Sequence, residues 1–198
     1  MSTNSLIIFV RRPELGKVKT RIAKSVGARQ ALVIYNELLK HTREVVTKCD
    51  VQRHLFYTDD IIRDDDWSNT KFIKHRQASG DLGDKMSAAF EVCLRQSHKV
   101  VIIGSDCATL QPAIIERAFA ALDESDVVIG PTFDGGYYLL GLKEPREVLF
   151  KGIEWSTPVV FEQTIAAINH EGLSYTELPQ LADIDHIEDW EKWGWKIQ

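Results

Sequence analysis

Residues 6 to 21 read LIIFVRRPELGKVKTR. Leu6 to Val10 is a short, wholly apolar run bounded by charge, the pattern of a buried strand in a parallel sheet. Directly behind it stand Arg11, Arg12, Lys17, Lys19 and Arg21, with Gly16 among them. Open sheets place ligands beyond the carboxyl ends of their strands, so cations clustered there predict a site for phosphate or another polyanion. Gly16 permits a tight turn, Lys19 supplies a point charge and Arg21 a planar fork for phosphoryl oxygens. The turn is neither G-x-x-x-x-G-K-[ST] nor a dinucleotide G-x-G-x-x-G.

From this stretch the chain continues as alternating strands and helices. Gly27 precedes a helical segment in which Ala31, Ile34, Tyr35, Leu38, Leu39, Thr42, Val45 and Val46 recur at three- and four-residue spacing. Residues 52–58 read as a second strand and 71–74 as a weak third. A helix opens between Gly80 and Gly83, and Val100 to Ile103 is a further apolar strand. Another helix follows, with Pro112 in its first turn, and then a strand over 126–129. Tyr137 to Leu142 is reached through Asp134-Gly135-Gly136, too short a link for a parallel crossover, so this strand is expected to be antiparallel. A helix over 157–171, with Thr157 as its cap, and a tryptophan-bearing tail packed back onto the sheet complete the reading. The class is α/β, with a mixed, mostly parallel sheet.

Acidic residues after the strands supply a second kind of chemistry. Asp106, in Gly104-Ser105-Asp106, follows the strand 100–103 and is placed to present a carboxylate to a divalent ion. The alternative is a turn or cap residue. Asp134, with Gly135 and Gly136 letting the chain pass close beneath a ligand, either meets an acceptor hydroxyl or helps hold the metal. Gly80 and Gly83 bracket a helix start whose N–H groups face a ligand, or else Asp81 and Asp84 merely cap that helix. Asp183, Asp185, Glu188 and Asp189 lie near the end. Asp185 is a candidate metal ligand, although acidic residues also commonly begin helices. The six histidines form no metal motif, and no G-x-S-x-G elbow is present.

Composition narrows the partners. The 198 residues carry 24 Lys and Arg against 29 Asp and Glu, a formal charge of -5, so long nucleic-acid grooves are unexpected and the basic turn is a local patch. With 44% hydrophobic residues, one well-buried core is expected. Cys49, Cys93 and Cys107 fit neither a zinc site nor a disulfide framework. No apolar stretch reaches the ~20 residues that span a bilayer. A cytoplasmic protein with reduced thiols is the expectation.

Taken in order, Gly16 to Arg21, Gly80-Asp81-Leu82-Gly83 with Met86, Gly104-Ser105-Asp106-Cys107, Gly130-Pro131 through Asp134-Gly135-Gly136-Tyr137-Tyr138 with Leu140-Gly141-Leu142, Trp155-Ser156-Thr157 and Asp183-Ile184-Asp185 resemble a known family. It is the glycosyltransferase-like family of bacterial proteins called domain of unknown function 2064, and the resemblance covers nearly the whole chain. More distantly, the beginning is similar to the guanylyltransferases that act on phospholactate and on the molybdenum cofactor. The resemblance implies a three-layer, Rossmann-like GT-A fold formed as a single nucleotide-binding transferase domain over 1–198. It implies Lys19 and Arg21 on the nucleotide phosphates; with the reading of the loops themselves, Arg11, Gly16, Thr20, Gly80 and Gly83 join them as nucleotide-binding candidates, and Asp134, Gly135, Gly136 and Tyr137 stand beside donor or acceptor. Asp106, Asp134 and Lys19 become the catalytic candidates, and Asp106 a ligand of Mg2+ or Mn2+, with Asp185 and Asp134 competing as the second.

The implied activity is metal-dependent glycosyl or nucleotidyl transfer from a nucleotide sugar or nucleoside triphosphate to a small-molecule acceptor. A metal-dependent phosphohydrolase and a non-catalytic nucleotide-binding protein are the alternatives. Ala108 stands where the family usually has proline, and Ile22 where leucine is common. Asp106-Cys107-Ala108 also lacks the D-x-D of typical metal-dependent sugar transferases.

Overall fold

A computed structural model describes residues 4–197. In chain order the elements are β1 (Asn4–Val10), α1 (Thr20–Val46), β2 (Gln52–Tyr57), β3 (Ile73–Arg76), α2 (Leu82–Leu94), β4 (Lys99–Ile103), α3 (Pro112–Glu124), β5 (Val127–Pro131), β6 (Tyr137–Leu142), a 3-10 turn (Glu147–Phe150), α4 (Val160–His170), β7 (Tyr175–Glu177) and α5 (Ile187–Trp193). The seven strands lie in the order β3-β2-β1-β4-β6-β5-β7. β1 pairs parallel with both β2 and β4, whereas β6 runs antiparallel to β4 and β5, as the short Asp134-Gly135-Gly136 link requires.

Period-two alternation sorts the strand side chains between the layers. Leu6, Ile8 and Val10 join Tyr35 and Leu39 of α1 and Ile115 and Leu122 of α3 on one face. Ile7 packs on the other with Met86 and Phe90 of α2 and Ile168 of α4. The result is three layers around a mixed sheet. Because β2 lies on one side of β1 and β4 on the other, the loops leaving β1 and β4 part at their carboxyl ends and leave a crevice.

Several expectations are corrected. The first helix begins at Thr20 and is interrupted at Gly27 (φ 83°, ψ 157°), so Thr20 and Arg21 belong to a helical turn and not to the loop. The third strand is 73–76, displaced from 71–74 because Lys71 and Phe72 N–H both bond to Ser68 O and Phe72 packs edge-on against Trp67. The helix expected over 157–171 begins only at Val160, and Thr157 Oγ1 donates to Glu154 O in the preceding turn. The tryptophan tail does not pack on the sheet. Trp190 of α5 packs with Ile22, Ala31, Ile34 and Leu38 of α1, together with Ala108 and Ile184. β7 was not foreseen: three residues are too few for an alternation to show.

Candidate functional site

The crevice at the ends of β1 and β4 opens as a cleft of about 870 Å³. Its floor begins at Arg11, whose backbone is clasped by α1: its N–H donates to Tyr35 Oη (2.9 Å), and that hydroxyl donates to Arg11 O (3.1 Å). Burial, reinforced by the Asp106 charge, pushes the Tyr35 phenol up to about 12, so it stays a neutral clamp. Gly16 (φ 79°) turns the loop but does not line the cleft. Lys17 also stays outside, paired with Glu14 at 2.6 Å.

Lys19 is the N-cap of α1 and adopts the left-handed conformation (φ 45°, ψ 47°). Its side chain is only 6% exposed, and its ammonium lies 2.8 Å from Asp106 Oδ1, 3.6 Å from Asp185 Oδ1 and 2.6 Å from Ile184 O. Asp106 remains 42% exposed on the cleft side. Arg21, more exposed, reaches the second oxygen of Asp185 at 2.9 Å. Thus Arg11, Lys19, Thr20 and Arg21 all line the cleft with Asp106 and Asp185.

The acidic partner missing beside Asp106 comes from the far end of the chain. Cys107 and Asp183 form an isolated antiparallel bridge, and Ile184 N–H donates to Asp106 O at 2.9 Å. Asp183-Ile184-Asp185 is thereby laid against the end of β4. Asp183 points into a carboxylate-rich wall. Burial, and then the Asp106 and Asp134 charges, push its carboxyl up to about 8. The D-x-D spelling at 183–185 was present in the sequence, but only the bridge reveals its position.

Asp134 lines the cleft with Gly136 and Tyr137, while Gly135 lies behind them. Its Oδ1 accepts from Thr132 Oγ1 and from Gly136 N–H, which fixes the turn. A Cβ on Gly135 would come within 1.9 Å of Pro158 O, at φ 89°, so this turn and the segment before α4 can approach only through glycine. Gly80 and Gly83 do not line the cleft. Asp81 and Asp84 form a reciprocal capping box, and Gly83 packs under Phe150 O and Trp155. From that helix it is Leu82, Lys85 and Met86 that face the cleft. The sequence reading also missed Thr58 and Gln77 at the ends of β2 and β3, and gave no site role to Trp155 and Ser156, which it named only as a shared segment and which form a wall of the cleft. Ser156 has a positive φ of 65°, a strained position for serine.

Asp106, Asp183 and Asp185 are hard oxygen donors of the kind that take Mg2+ or Mn2+, and the Asp183 carboxyl, raised first by burial and then by the Asp106 and Asp134 charges, would ionise more readily beside a cation. Their chemistry fits such an ion. Among the described residues, no three His, Cys, Asp or Glu side chains stand together as a ready-made cage. The Lys19 ammonium lies between two of the three carboxylates instead.

Residues 41–157 match the model of a family described as uncharacterized protein conserved in bacteria, DUF2064. The chain belongs to this family. Its fold is that of the GT-A-like nucleotidyl- and sugar-transferase superfamily. The crystal structure of a candidate nucleotide-diphospho-sugar transferase of Desulfovibrio desulfuricans G20 matches with a TM-score of 0.86 at 28% identity, covering 94% of this chain and 84% of that one. The inositol-1-phosphate CTP transferase of T. maritima matches with a TM-score of 0.61 at 14% identity, over 96% and 92% of the two chains. Rv0371C of Mycobacterium tuberculosis H37Rv, in complex with manganese, matches with 0.58 at 11%, over 96% and 97%. No curated protein matches the chain. Among the described residues, no helix is long and apolar enough to cross a membrane.

Proposed function

We propose that this family member is a cation-assisted transferase that takes a nucleoside triphosphate or nucleotide sugar in the β1–β4 cleft and passes one part of it to a small acceptor. The supporting observation is the convergence of Lys19 and Arg21 from the first loop and helix with Asp106 from β4 and Asp183 and Asp185 from the chain's end. Phosphoryl and glycosyl transfer from a nucleotide both build negative charge on phosphate oxygens. A basic wall beside a hard-oxygen cation site meets that demand. Relatives of the same fold named for CTP-dependent and nucleotide-sugar chemistry, and one complexed with manganese, support the reading.

In this reading Arg11 and Arg21 hold phosphate oxygens, Lys19 neutralises the transferred or departing phosphate, and Asp106 with Asp185 and Asp183 holds the cation. A divalent ion bound there lowers the cost of developing charge on the leaving phosphate. Asp134, fixed through Oδ1 by its own turn, leaves Oδ2 to accept a hydrogen bond from an acceptor hydroxyl. Thr58 and Gln77 border the nucleoside end, and Lys85, Tyr137 and Trp155 the opposite wall.

The two transfers leave different products. Incubating the protein with Mn2+ and separate panels of triphosphates and nucleotide sugars, with pooled small-molecule acceptors, distinguishes them. Pyrophosphate release marks nucleotidyl transfer, and nucleoside diphosphate release marks glycosyl transfer. Orthophosphate released without any acceptor marks a hydrolase and contradicts the proposal.

A further inference from the structure

Lys19 is aimed by its backbone. A left-handed conformation is costly for lysine, and here it accompanies a side chain that is almost wholly enclosed. An ammonium has three donors and no acceptor. The three oxygens around this one are Ile184 O at 2.6 Å, Asp106 Oδ1 at 2.8 Å and Asp185 Oδ1 at 3.6 Å. Lys19 is thus committed to this wall by a hydrogen bond to Ile184 O and by ion pairs to Asp106 and, at longer range, Asp185. Those same oxygens, carboxylate and carbonyl, are the type a divalent cation takes.

We propose that Lys19 is the resident counter-ion of the Asp106–Asp185 pair, that its ammonium and a divalent cation exclude one another there, and that Lys19 turns to the nucleotide phosphates only on being displaced. This rests on the reading of the cleft as a cation-assisted nucleotide site and adds an order of events to it. Lys19 does not simply swing out, because Asp106 would lose its ion-pair partner and Asp185 would keep Arg21 alone. Nor does it stay in place, since an ammonium and a divalent cation set against the same oxygens repel one another at contact distance. Once displaced, the ammonium finds in the phosphates the negative charge it has lost, and each ligand thereby favours the other's binding.

Arg21 provides the internal control. It carries the same charge and bonds the same Asp185, yet it is 58% exposed and bonds the other oxygen. The test is calorimetric titration of Mn2+ alone, without nucleotide, into wild type, Lys19→Met and Arg21→Met. Lys19→Met is expected to bind Mn2+ about 10-fold more tightly than wild type, because the competing ammonium is gone. Arg21→Met is expected to change affinity by less than about threefold, as removal of an exposed charge should. Equal gains in both variants would show a general charge effect and overturn the proposal, as would no gain in Lys19→Met.

A second measurement needs no variant. Acylation of Lys19 by an amine-reactive ester, followed by mass spectrometry, should be slow in wild type and rise severalfold at saturating Mn2+. Persistent protection would overturn the exchange. If nucleotide still stabilises the wild type in a Mn2+-dependent way while Lys19 stays protected, the exchange fails and the transferase reading stands.

Discussion

The Lys19 ammonium lies 2.8 Å from Asp106 Oδ1 at the end of an almost wholly buried side chain, while the Asp106 side chain stays open to the cleft. One partner is therefore held and the other available. This asymmetry joins the basic turn after β1 to the carboxylate after β4, and on it rests the proposal that the cleft takes an anion and a cation together.

Asp106→Asn is expected to abolish cation-dependent nucleotide binding while changing the unfolding free energy of the ligand-free protein by less than about 1 kcal/mol. Lys19 keeps Ile184 O and Asp185, so the loss is local. Urea unfolding alongside a nucleotide titration checks both halves. A large loss of stability would make Asp106 a structural residue.

Asp183 carries a pH signature. Its folded value is raised to about 8 by burial and by Asp106 and Asp134, against an ordinary value of 3.8. The folded state therefore favours its proton. The stabilising contribution is fully present below pH 3.8 and is lost as pH rises toward 8. Asp183→Asn is expected to raise the thermal midpoint relative to wild type at pH 8.5 and above, and to do so much less at pH 4. Equal midpoint differences at the two pH values would contradict the charge crowding.

Away from the cleft, His54 is held down to about 4 by burial and by His75, whose Nε2 lies 3.0 Å from His54 Nδ1. The unfolded chain takes up the proton near 6.5 and the folded one resists it. Stability is thus full above pH 6.5 and falls as pH drops toward 4. Across pH 6.5 to 5, thermal midpoints of wild type should decline more steeply than those of His54→Gln. Parallel slopes would remove the pair from the acid response.

Gly135→Ala is expected to destabilise by more than about 2 kcal/mol, because positive φ and the contact with Pro158 O act together. Gly16→Ala has the same sign of φ but open space, so about 1 kcal/mol of conformational strain is expected there. Chemical denaturation of the two variants compares them. Equal losses would show that the close approach to Pro158 carries no energy of its own.

What was legible in the sequence was local. The apolar runs of β1 and β4, the cations after Val10 and the carboxylate of Asp106 each declare themselves within a few residues, and the alternation of strands and helices gives the layered sheet. The start of α1 was hidden because Lys19 caps it by backbone conformation, with no capping side chain and no acidic first turn, while Gly27 imitates a boundary. Asp183 was seen as a residue but its place was not, since it depends on the Cys107–Asp183 bridge between distant segments. The basic turn suggested phosphate contacts for Lys19, and nothing in its neighbours announced that the ammonium would rest on carboxylates. Gly80 and Gly83 looked like a ligand loop, yet the Asp81–Asp84 box and the contact with Trp155 account for them.

The central claim, that one cleft binds nucleotide phosphate and a divalent cation together, is tested most directly by the thermal midpoint with triphosphates and nucleotide sugars, each with and without Mn2+, in wild type and Asp106→Asn. A ligand that binds only the folded state raises that midpoint. The account predicts a shift for at least one nucleotide that requires Mn2+ and disappears in Asp106→Asn. Shifts that ignore Mn2+, shifts that survive the substitution, or no shift with any nucleotide would contradict it.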